Sequence, residues 1–102
     1  MNLQERGQSL LREFKLGIDP TTRALDLSSE VGEVCKEILK ATQYGTQDFQ
    51  STPNLEMELG DAYFSLLTLA SSVHVDLDAA LEKVMVKMRT RLERTGQLGS
   101  GS

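Results

Sequence analysis

Apolar residues recur at helical spacing in four stretches of this chain, and none alternates strictly enough to read as a strand. In the first, Leu3, Leu10, Leu11 and Phe14 share a face, with Gly17 as the C-terminal stop. Asp19-Pro20 reads as an N-cap followed by proline at the first helical position, where its missing N–H leaves no bond unmade. From there Ala24, Leu27, Val31, Val34, Ile38 and Ala41 keep the period until Tyr44-Gly45, and a polar loop with Phe49 follows. Thr52-Pro53 repeats the cap-and-proline start, and Leu55, Leu59, Ala62, Leu66, Leu69, Ala70 and Val73 form the third stripe. Asp76 caps the fourth, with Leu77, Ala80, Leu81, Val84, Met85, Met88 and Leu92 inward. Short connections between amphipathic helices predict antiparallel neighbours. The expected fold is all-α, a four-helix antiparallel bundle.

With 102 residues there is room for one domain, expected over 1–95, followed by a flexible Gly/Ser-rich tail over 96–102. A domain this small buries a core only marginally, so completion of the bundle by oligomerisation is expected. The longest uncharged apolar stretch, Ala62 to Val75, falls about five residues short of a membrane span. The N-terminus carries an acid and no apolar core segment, which does not suit a signal peptide. A lone cysteine, Cys35, forms neither an internal disulfide nor a thiolate zinc site. These features together predict a cytoplasmic protein without a membrane partner. Fifteen acids against eleven bases argue against a nucleic-acid polymer as partner, because neutralising phosphates takes a basic face.

The chemistry lies in a pattern shared by the second and third helices: Glu30-Val31-Gly32-Glu33 and Glu58-Leu59-Gly60-Asp61. In each, two carboxylates three apart share a face and flank the apolar stripe. Glu37 extends the first row by a turn and Ser65 the second. A single such pair is ordinary on a solvated face. Two pairs at matching positions predict that the acids meet at one edge of the bundle, where their repulsion calls for a cation. Oxygen donors without thiolate or imidazole suit Mg²⁺, with Mn²⁺ as substitute. The sole histidine, His74, reads as a polar residue at a helix end.

On the last helix Lys83, Lys87 and Arg91 recur every four residues, a ladder that suits either successive phosphates or plain solvent. Gly32 and Gly60 each cost helix stability relative to Ala, which admits two readings: close approach of another helix, from a second subunit for instance, or simple tolerance.

From about Leu25 to Arg91 this arrangement resembles the MazG-like all-α nucleotide pyrophosphohydrolases, marked by E-x-x-E, a spacer and E-x-x-D. The surrounding S-S-E-V-G-E-V-C-K-E, E-L-G-D-A-Y-F-S-L-L-T-L-A and V-D-L-D-A-A-L-E-K-V carry the likeness. The resemblance implies Mg²⁺-dependent hydrolysis of a nucleoside triphosphate between the α and β phosphates, giving monophosphate and pyrophosphate. It implies Glu30, Glu33, Glu58 and Asp61 as metal ligands, and Lys87 and Arg91, with Lys83 beside them, as phosphate contacts. A carboxylate not committed to metal, Glu33 or Glu37, would act as general base. Among the aromatic residues Phe14, Tyr44, Phe49 and Tyr63, we take Phe14 and Tyr63 as candidates to contact the base. Small members of the family assemble as homodimers or dimer-of-dimers tetramers. The expected role is house-cleaning of the nucleotide pool, with a selective pyrimidine dNTP pyrophosphatase (dUTP or dCTP type) as the alternative and a non-catalytic helical interaction module as the reading from another class.

Overall fold

A computed structural model describes residues 1–96, and the tail expected beyond Gly96 lies outside them. Four helices follow in chain order: α1 (Leu3–Glu13), α2 (Pro20–Ala41), α3 (Pro53–Ser72) and α4 (Leu77–Thr95). The all-α expectation holds. Asp19, Thr52 and Asp76 cap α2, α3 and α4 as expected, each side chain accepting from the backbone N–H three residues on. Asp19 takes a backbone and a hydroxyl bond from Thr22, both 2.8 Å, which hold its carboxyl below the usual range. Asn2 and Glu5 form a reciprocal capping box on α1 that the apolar pattern does not reveal.

Helix ends depart from expectation. α1 stops at Glu13, short of Gly17, and Phe14 is its C-cap, 63% exposed. Leu16 N–H donates to the Leu11 carbonyl and Lys15 N–H to that of Arg12, with Lys15 at φ 55°. This is the two-bond closure usually built on glycine. α2 and α3 end the same way, on Gln43 and His74 at φ 48° and 58°. His74 is thus a helix-end residue, as expected, though its left-handed backbone was not foreseen.

α2 and α3 run antiparallel. Glu37, late in α2, meets Thr52 at the start of α3, and Asp26, early in α2, meets Ser65 late in α3. α1 packs on α3 through Gly7, where an added Cβ would lie 3.5–3.6 Å from Thr68 and Phe64. Leu11, Leu55, Leu67, Thr68 and Ala70 form the buried core beneath. α4 does not fold back antiparallel on α3. It leaves at a bend of 103°, none of its residues is buried, and α2–α3 and α1–α3 are the substantial helix pairings. The short connection sets adjacency in sequence but not the crossing angle. No single helix among the described residues is long and apolar enough to cross a membrane.

The elbow between α3 and α4 is pinned from α1. The Gln4 amide donates to the Val75 carbonyl at 2.6 Å and accepts from Leu77 N–H at 3.0 Å. Replacing Gln4 with Met keeps the size and removes both bonds. The variant should lose about 1–2 kcal/mol of stability in urea titration, and its Leu77 amide should exchange with deuterium faster than in the parent.

Among the described residues, no atom outside their own helices lies within 4 Å of a Cβ built on Gly32 or Gly60. Close approach within the chain occurs at Gly7 instead. With open space at Gly32, Gly32→Ala should raise stability by about 0.5–1 kcal/mol, read from the denaturation midpoint. A loss instead would mean that a second copy sits against that glycine.

Candidate metal centre

Two helices place the acids. α2 carries Asp26, Glu30, Glu33 and Glu37 at spacings of four, three and four, which lines them along one face. α3 carries Glu58, Asp61 and Ser65 on the face turned toward it. Glu30, Glu58 and Asp61 each offer a carboxylate oxygen, and these oxygens lie within 4.8 Å of one another. Glu30 and Glu58 are half-buried and Asp61 is exposed.

The Glu30 carboxyl is raised above its ordinary range. Lost hydration is the largest cause, followed by the charges of Asp61, Asp26, Glu58 and Glu33. A set of hard oxygen donors held together against repulsion has the chemistry of a divalent-cation site. The residues fit Mg²⁺ or Mn²⁺. Glu33 shares the acid row but stays exposed, outside the close trio. Glu37 is half-buried and accepts the Thr52 hydroxyl at 2.9 Å.

Asp26 is a carboxylate that motif reading passed over. It accepts the buried Ser65 hydroxyl at 2.6 Å, and the Arg23 guanidinium lies 3.6 Å away. Arg23 is itself buried, and its Nε has no hydrogen-bond partner among the described residues. The signal was available: stepping back one turn from Glu30 along the acid row lands on Asp26.

Other candidates lie elsewhere. Lys83, Lys87 and Arg91 ride on α4, and Lys83 and Lys87 make no ion pair among the described residues. α4 leaves α3 at a bend of 103° and has no substantial pairing with α2, so this ladder stands away from the acids. Tyr63 sits about 140–160° around α3 from Glu58 and Asp61. There it lines one apolar groove with Leu3, Gly7 and Leu10, and another with Leu66, Leu81 and Val84. Phe14 stays at the exposed end of α1. Neither aromatic shares a face with the acid trio in this chain. Cys35 is exposed and free.

The family model described as MazG nucleotide pyrophosphohydrolase domain matches residues 19–95. The chain is 31% identical over 94 residues to the uncharacterized protein YpjD of Bacillus subtilis (strain 168), which covers 88% of this chain and 83% of that one. No solved structure matches it.

Proposed function

Because the chain belongs to the MazG nucleotide pyrophosphohydrolase family, we propose that it hydrolyses nucleoside and deoxynucleoside triphosphates between the α and β phosphates. The products are the monophosphate and pyrophosphate, and the role is house-cleaning of the nucleotide pool. The observation that carries this reading is the convergence of Glu30, Glu58 and Asp61 from two helices to within 4.8 Å.

Those three carboxylates would hold Mg²⁺, or Mn²⁺ in its place. The ion, when bound, supplies charge neutralisation for phosphate oxygens and acidifies a bound water. Glu33, exposed on the same row, is free of the close trio and takes the proton of the attacking water. Glu37 is the weaker candidate for base, since the Thr52 hydroxyl already occupies one of its oxygens. Lys83, Lys87 and Arg91 stabilise charge developing on the leaving pyrophosphate.

Because α4 stands away from its own chain's acids, we place these cations in the site of a second copy within a homodimer or dimer-of-dimers tetramer. The apolar row Leu81, Met85, Met88 and Leu92, 40–54% exposed, supports that assembly.

The test is incubation with a panel of NTPs and dNTPs in Mg²⁺ or Mn²⁺, scoring monophosphate and pyrophosphate. Metal-dependent pyrophosphate release is the expected result. Orthophosphate release, or no turnover with any substrate, overturns the proposal, the second outcome in favour of an interaction module.

A further inference from the structure

The trio of Glu30, Glu58 and Asp61 sets like charges against each other, and their repulsion pushes α2 and α3 apart at that level. Two hydrogen bonds oppose this, one on each side along the helices. Ser65, one turn beyond Asp61, donates to Asp26 at 2.6 Å, and Asp26 lies one turn before Glu30. At the other end, Thr52 donates to Glu37 at 2.9 Å, two turns beyond Glu30. In both, a hydroxyl of α3 or of its N-cap donates to a carboxylate of α2. The four acids of the α2 row thus divide into an outer pair tied across the helix interface and an inner pair not tied in this way.

Burial supports the division. Ser65 is 1% exposed, so its hydroxyl sits where an unmade bond is expensive, and Asp26 fills that need. The Arg23 guanidinium beside Asp26 offsets a charge that would otherwise add to the repulsion. Hydroxyl donors suit the task because they hold a carboxylate without bringing a countercharge that would compete with the ion.

We propose that Asp26 and Glu37 are positioning residues, which Ser65 and Thr52 clamp so that α2 and α3 stay in the register that brings Glu30, Glu58 and Asp61 together on a divalent cation. This rests on reading the trio as a cation site. It assigns Asp26 and Glu37 to geometry and not to direct coordination or proton transfer.

Mn²⁺ binding to the full chain without nucleotide, followed by electron paramagnetic resonance of the free ion, tests the proposal. Ser65→Ala, Asp26→Ala and Glu37→Ala should each weaken binding about tenfold, the scale typical of partners that orient metal ligands. Asp26→Asn and Glu37→Gln keep an oxygen to accept the hydroxyl and should stay within about threefold of the parent. Circular dichroism and melting of each variant establish that it folds. The mild Ser65→Ala change keeps the test open should either carboxylate-to-Ala variant unfold.

Parent-like binding by folded Ser65→Ala overturns the clamp while leaving the cation site intact. So does a loss with Asp26→Asn as large as with Asp26→Ala, since charge and not the hydrogen bond would then matter. No Mn²⁺ binding by the parent overturns the cation-site reading and the clamp with it.

Discussion

Glu30→Gln should abolish pyrophosphate release, by about a thousandfold or more, while making the metal-free protein harder to melt. The two effects have one cause. Lost hydration and four neighbouring acids all disfavour the charge of Glu30. Removing the charge removes that penalty together with one oxygen of the proposed cation site. In chelator at pH 7 the variant should melt above the parent.

The sign with pH follows from the direction of the shift. The folded carboxyl titrates above its ordinary 4.5, so its contribution to stability is complete below that value and is lost as pH rises through the folded one. Parent and variant melting curves should therefore converge in acid and separate toward neutrality. Millimolar Mg²⁺ should reverse their order, because only the parent gains from binding. Equal melting of the two in chelator at pH 7 would show that the trio is not under electrostatic load. Asp61→Asn should lose activity likewise, and pyrophosphate assays on both folded variants check it.

Replacing Leu81 and Met85 together by Asp should reduce the proposed homo-oligomer to single chains and cost much of the helicity of α4. An isolated helix of 19 residues is only marginally stable in water. Yet α4 has no buried residue and no substantial pairing with another helix of its chain. Its apolar row needs a cover, and two carboxylates on that row exclude an apolar one. Light scattering should report the single-chain mass, and far-UV circular dichroism a smaller helical signal. Pyrophosphate release should fall about a hundredfold, since Lys83, Lys87 and Arg91 travel with this helix. Unchanged mass with full helicity would remove the second copy from the account.

Much of this was readable from residues because the relevant signals are local. Asp19-Pro20 and Thr52-Pro53 start helices through their own backbone and side chains, so short-range chemistry locates them. Glu30, Glu58 and Asp61 were legible because the same spacing occurs at the same place relative to two apolar stripes. The course of α4 was not legible. It depends on His74 entering the left-handed region and on Gln4, 71 residues away in sequence from Val75, holding the elbow. Lys15, Gln43 and His74 end helices without the glycine that would have marked them. Asp26 escaped notice because its partner Ser65 lies on another helix, and neither residue belongs to the repeated tetrad.

The stretch matched by the family begins at Asp19, after α1 has ended. Leu11, 1% exposed, and Gly7 nevertheless seal one side of α3, and Gln4 fixes the direction in which α4 departs. Excising the stretch from Asp19 onward would therefore strip away a supporting wall and the strut that aims the basic helix. The opening turns of this polypeptide thus brace the helix that carries two of the converging acids and set the course of the one that carries the basic ladder.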